Sequence, residues 1–306
     1  MSPLWTDSTR RATRSGITAG LDIGRDAVRY VELETKSGRS QVRSTGSARF
    51  DAPLFDGEPS ALSARVIADA VARVASGARR RYLPLHVSIP DPLVRTAVFE
   101  LEELPKNAAA RKALVQFRLQ RDLPGQDWEY RSESLGTLIS GRHLLLGLAI
   151  PGAWRRTVTE ALHAQGVVAW SLAGRLPRLM NALEASLSGA SGALVCVMED
   201  SWALAALDPQ GRLRYVRSQW RTPGLTTAAI AAEVQRAILA YVHQESDRSI
   251  EKIRLFLQGD DADLATELDA RSDVACHRLT PAEFAADLPA DPALLEYGPA
   301  LAAALQ

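Results

Sequence analysis

Two stretches of this chain carry the same order of elements, and that repetition limits the fold more than any other feature. In the first, Thr18 to Gly24, Ala27 to Glu34 and Gln41 to Phe50 are β-rich runs with tight turns between them. Leu62, Val66, Ile67, Ala70, Val71 and Val74 then recur at helical spacing after Ser60, a residue suited to cap a helix. In the second, Ala193 to Met198, Trp202 to Leu207 and Leu213 to Trp220 form another three-strand meander. It leads into a helix whose Ile230, Val234, Ala237, Ile238, Tyr241 and Val242 share one face. A meander buries its apolar face only against another layer, so this pattern predicts a mixed α/β architecture with more than one sheet. The turn residues of the two units do not repeat, so the internal duplication is weak at the level of side chains.

The segments between and after these units complete the organisation. Leu83 to Ile89 and Leu93 to Leu101 read as strands separated by Pro90-Asp91-Pro92, and a helix opens after Asn107 and stops at Pro124. With further strands through Trp128 and Tyr130, Leu135 to Ile139 and His143 to Ile150, residues 83–150 read as an inserted α+β subdomain. A helix ending at Gly166 and a stripe of Leu176, Leu179, Met180, Leu183 and Leu187 follow. The expected division is a polar tail at 1–17, a first lobe from 18–82 and 151–190, the insert at 83–150, and a second lobe at 191–306.

Charge narrows the partners. The 36 basic and 36 acidic side chains balance to zero, whereas a surface that grips nucleic acid or anionic lipid carries a basic excess. The last stretch, 259–306, sets ten acids against Arg271 and Arg278 and reads as a solvated face. The longest apolar run, Leu144 to Trp154, is broken by Gly147, Pro151 and Gly152 and falls short of the ~20 residues that span a bilayer. Met1 to Gly16 has no apolar core of the kind a secretory signal needs. Cys196 and Cys276 sit in apolar runs as buried, reduced thiols, which suits a cytoplasmic protein.

One motif carries candidate chemistry. Gly20-Leu21-Asp22-Ile23-Gly24 lies where one strand turns into the next. An Asp-x-Gly there can aim backbone N–H groups at a phosphate while the Asp22 carboxylate holds the water shell of a Mg²⁺ ion. The same residues also suit a plain hairpin, with Gly24 at positive φ and Asp22 bonded to backbone. The five histidines have no metal-ligand spacing with the cysteines. Ser88 lacks both a nucleophile elbow and an assignable histidine partner.

The order of the motifs resembles the actin-like ATPase superfamily, of ribonuclease H-like fold, and within it the PilM/MshI-like proteins of type IV pilus assembly. The resemblance rests on Gly20 to Gly24 followed by Ala27 to Leu33, Val87-Ser88-Ile89-Pro90, and Leu101 to Pro105. It continues through Phe117 to Pro124 leading to Glu133-Ser134-Leu135-Gly136, then Leu146 to Ala149, and Glu233 to Arg236 before Ile253 to Gly259. It covers roughly 18 to 306 in the family order.

That resemblance implies a two-lobed fold with an insert, a nucleotide cleft for ATP and Mg²⁺, and a groove beside the insert. The groove would dock the N-terminal cytoplasmic peptide of a PilN-like bitopic inner-membrane protein. Other pilus-assembly proteins would be partners as well. The chain would be cytoplasmic, peripheral at the inner membrane through a protein partner, with no nucleic acid and no span of its own. The nucleotide residues it implies are Asp22, Gly24, Arg25, Glu199 and Gly259, with Asp22 reaching the metal through water.

Three departures bear on the cofactor. Arg25 and Asp26 stand where small hydroxyl residues wrap the phosphates, Met198-Glu199-Asp200-Ser201 replaces a second Asp-x-Gly, and Gln258-Gly259-Asp260-Asp261 has one glycine of an expected pair. A degenerate nucleotide site with no cofactor, and a site that keeps ATP and Mg²⁺, both stand at this point. The leading expectation is a non-catalytic assembly platform. The alternatives are an active actin-superfamily ATPase or sugar-kinase-like phosphotransferase, and a truncated GspL-like cytoplasmic domain, which would continue into a membrane helix.

Overall fold

The computed structural model describes residues 16–54, 63–74, 85–123, 125, 127–187, 191–222, 224–244, 248–258 and 263–306. The N-terminal tail to residue 15, Ser60, Pro124 and Gly259 fall outside the described residues. The chain divides into two compact units.

One unit holds residues up to Leu93, then Pro151–Leu183 and Thr280–Gln306. Its strands β1 (Gly16–Ile23), β2 (Ala27–Lys36) and β3 (Arg39–Arg49) form the expected antiparallel meander. The sheet continues through β4 (Leu85–Ile89), parallel to β1, to β8 (Ala169–Gly174), giving the order β3-β2-β1-β4-β8. Helix α1 (Ala64–Val74) buries Ile67, Ala70 and Val71 of the expected stripe, and Ala68 besides, whereas Val66 is exposed and Leu62 lies outside the described residues. Helices α3 (Gly152–Ala164) and α4 (Arg175–Ala182) belong to the same unit.

The other unit holds Val94–Ile150 and Glu184–Leu279. Its inserted part is a sheet of order β5-β7-β6, from β5 (Arg95–Leu101), β6 (Trp128–Thr137) and β7 (His143–Pro151), with α2 (Ala108–Gln120) capped by Asn107. Val115, Tyr130, Leu145 and Ala149 make its core. After α5 (Glu184–Leu187) come β9 (Gly192–Val197), β10 (Ser201–Leu207), β11 (Leu213–Trp220), α6 (Thr227–Val242), β12 (Lys252–Leu257), α7 (Asp263–Asp269) and β13 (Cys276–Arg278). The sheet order is β11-β10-β9-β12-β13, with β9, β10 and β11 antiparallel and β12 and β13 parallel to β9. Insert and sheet are joined by charge: Glu100 accepts from Arg214 at 2.7 Å and from Arg248 at 3.0 Å. Arg212 also donates to the Thr137 carbonyl.

Two expected boundaries move. Leu85–Ile89 belongs to the first sheet rather than to the insert, because it pairs with β1 and then leads through a 3₁₀ turn at Asp91–Leu93 into β5. Residues 280–306 group with the first lobe rather than the second. The reason is α8 (Gly298–Ala304), whose small residues lie against Gly20 so closely that a Cβ there would stand 1.8 Å from the Ala300 carbonyl oxygen. The stripe expected as one helix from Leu176 to Leu187 breaks at Leu183 into α4 and α5. Cys196 is buried as expected, whereas Cys276 is only partly so.

The duplication is sharper in the backbone than in the sequence. Gly24 N–H donates to the Ala27 carbonyl at 2.9 Å, and Met198 N–H to that of Ser201 at 2.9 Å. Phe50 N–H donates to Asp26 O at 2.9 Å, and Arg221 N–H to Asp200 O at 2.8 Å. These matched bonds put Met198 in the place of Gly24 and Cys196 in the place of Asp22. Glu199 corresponds to Arg25.

Candidate functional site: the Asp-x-Gly turn

Asp22 is the next-to-last residue of β1 and is wholly buried. Its carboxylate is held by Arg175, the first residue of α4, in a two-toothed pair: Nε donates to Oδ1 at 2.7 Å and Nη2 to Oδ2 at 3.1 Å. Arg175 is 1% exposed. A carboxylate gripped side-on by a guanidinium is among the strongest pairings available to side chains.

The surroundings fix that pair. Asp91 sits between two prolines and accepts the Leu176 N–H on both oxygens, at 2.9 and 3.0 Å, which anchors the first turn of α4 and with it Arg175. Ser88 lies beside Asp22 across β4 and donates to the carbonyls of Leu21 at 3.3 Å and Pro299 at 3.0 Å. Arg29 faces Asp22 across β2 and lies 3.7 Å from Glu296. Deeper in the lobe, Arg178 donates to Ser171 Oγ at 2.5 Å, and that hydroxyl lies 2.7 Å from His86 Nδ1. Arg178 can only donate, so Ser171 Oγ accepts from it with one of its lone pairs. Burial, then Arg178, pushes the His86 pKa down to about 4.

The turn itself departs from both sequence readings. Gly24 does not take a positive φ, and the Asp22 carboxylate goes to Arg175. Arg25 is half-buried and its carbonyl accepts from Leu54 at 2.7 Å. Glu199 is exposed on the corresponding turn of the other unit, while Asp200 is buried with Ser201 Oγ 2.7 Å from its Oδ1.

The topology of both units can now be set beside solved structures. A chain of the PilM-PilN type IV pilus biogenesis complex has a TM-score of 0.78 at 18% identity, covering 94% of this chain and 97% of that one. A Bacteroides thetaiotaomicron protein of actin-like ATPase fold and unknown function has a TM-score of 0.54 at 12% identity, covering 88% and 93%. The fold is actin-like. The ethanolamine utilization protein EutJ from Carboxydothermus hydrogenoformans is similar at a TM-score of 0.51 and 11% identity, covering 95% and 90%. No family model and no curated protein sequence matches the chain.

An actin-like fold raises the question of a metal-bound nucleotide, and the residues at this turn do not fit one. Both Asp22 oxygens accept from guanidinium N–H groups, so a hydrated cation would meet the carboxylate against a fixed positive charge. On the corresponding turn Cys196 and Met198 offer neither the carboxylate nor a glycine. Among the described residues, no group of three or more His, Cys, Asp or Glu side chains gathers to hold a metal. The sequence missed Arg175 and Asp91. The available signal was positional: an Arg two residues before Pro177 at the head of an apolar stripe marks a helix start.

Proposed function

We propose that this chain is a non-catalytic assembly platform of a type IV pilus or related machine. It holds the cytoplasmic N-terminal tail of a PilN-like inner-membrane protein and meets the other assembly proteins through it. The observation that carries this reading is the extent of the likeness to a chain of the PilM-PilN complex, a TM-score of 0.78 over 94% of this chain against 0.54 and 0.51 for the other actin-like structures. Capture of an extended tail by a preformed groove requires no catalytic group. The internally paired Asp22 and the altered second turn support a degenerate nucleotide site. Attachment through a partner also agrees with the helices, none of which among the described residues is long and apolar enough to cross a membrane.

The test is a calorimetric titration of the folded chain with a synthetic peptide of the partner's N-terminal cytoplasmic segment, with a scrambled peptide as control. Saturable binding of the native peptide alone is expected. Absence of binding by folded protein, or Mg²⁺-dependent ATP turnover lost with Asp22→Asn, would sink the platform reading.

A further inference from the structure

We propose that Arg175 is the resident cation of the first-lobe turn, supplying through the chain the positive charge that a metal would bring to Asp22, so that the platform is constitutive and not gated by Mg²⁺ and nucleotide. The proposal goes a step beyond the platform reading and concerns the chemistry of the turn. Three observations lead to it.

The first is occupancy. The guanidinium meets both carboxylate oxygens at 2.7 and 3.1 Å, and the two side chains are 1% and 0% exposed. A divalent ion that approached Asp22 would have to displace Arg175, leaving a buried guanidinium without its counter-charge, or lie against that charge in a poorly screened interior. Either course opposes binding.

The second is that the helix start bearing Arg175 is anchored independently of Asp22. The Asp91 carboxylate takes the Leu176 N–H at 2.9 and 3.0 Å, which fixes the helix start one residue along. The backbone that carries the cation therefore stays beside the turn whatever the state of Asp22.

The third comes from the repeat. Asp22 has Arg29 across β2 and Ser88 across β4; its counterpart Cys196 has Ala203 across β10 and Phe256 across β12. A polar trio in one unit is an apolar trio in the other. All three of Cys196, Ala203 and Phe256 are fully buried, so that unit has filled the place with packing and has no charge there to neutralise. The unit that kept its carboxylate has a built-in partner for it.

Scanning fluorimetry and calorimetry of the full chain test this with MgCl₂ alone, with ATP in EDTA, and with Mg²⁺ and ATP together. A ligand held at about a hundred times its Kd raises Tm by several degrees in a chain of this size. Wild type is expected to show no rise in any of the three and no saturable heat. A Mg²⁺-dependent rise in wild type that disappears in Asp22→Asn overturns the proposal. The tail-peptide titration repeated with and without Mg²⁺ and ATP separates the two readings: equal affinity supports constitutive docking, and Mg²⁺-dependent affinity overturns it while leaving the platform intact. A peptide that never binds counts against the platform alone, and the fluorimetry then decides the role of Arg175.

Discussion

His86 Nδ1 and Ser171 Oγ share a hydrogen bond of 2.7 Å, and this one bond joins β4 to β8 through side chains as well as backbone. The His86 pKa lies near 4 in the fold against 6.5 for a free imidazole. Between those values the unfolded chain binds a proton that the native chain does not, so stability rises with pH across that window. The contribution is complete above about pH 6.5 and lost as pH falls toward about 4, on the order of 3 kcal/mol in all. Urea unfolding followed from pH 7 to pH 4 should show this slope, and His86→Asn, which keeps a polar partner for Ser171 without a titrating ring, should flatten it.

Breaking the Asp22–Arg175 pair from one side leaves an uncompensated charge in the interior. Arg175→Met is expected to lose about 3–5 kcal/mol of unfolding free energy. Asp22→Asn combined with Arg175→Met should recover most of that loss, since no net charge then remains to bury. A double variant as unstable as the single one would mean that Arg175 acts through packing, which denaturant midpoints will reveal.

Gly20 meets α8 without room for any side chain: a Cβ would lie 1.8 Å from Ala300 O and 2.7 Å from Ala304 N. Both are backbone atoms of a helix seated on the sheet, so the strain cannot be relieved by rotating a side chain. Gly20→Ala should cost about 3 kcal/mol, the upper part of the range for overpacked cores. Thermal unfolding would contradict this if the variant matched wild type.

Glu100 serves Arg214 and Arg248 with the same oxygen, and the guanidinium-bearing side chains are each 7% exposed. Glu100→Gln should therefore destabilise the chain by about 2–4 kcal/mol. Hydrogen exchange should rise first in β5, which carries Glu100 and packs within the same unit.

The sequence pattern located both meanders, α1, α6 and the strands after Leu93, because apolar runs bounded by turn residues, such as β9 and β10, and helices with one apolar face leave their mark in the chain. The Asp-x-Gly turn was visible for the same local reason. What occupies its carboxylate was not: Arg175 lies 153 positions away, and its place before Pro177 marks a helix start without saying which carboxylate that helix meets. Cys196 read as one more buried thiol, and its correspondence to Asp22 emerged only from matched turn hydrogen bonds. The C-terminal boundary was misplaced because chain order suggests that the last residues complete the last lobe. The fit of Gly20 to Ala300 is a contact of surfaces, and no local pattern encodes it.

The return of α8 to β1 has a consequence for how the molecule is made. Thr18 Oγ1 donates to the Ala304 carbonyl at 2.6 Å, joining residues 286 positions apart. Strands β1 to β4 leave the ribosome well before the layer that covers Gly20 is translated. During synthesis that apolar sheet face waits for residues 298–304, while the unit formed by Val94–Ile150 and Glu184–Leu279 already has its full sequence. That lobe is thus completed only after the other unit's sequence has been made, and the nascent chain is exposed to chaperones and to aggregation on that face in the interval.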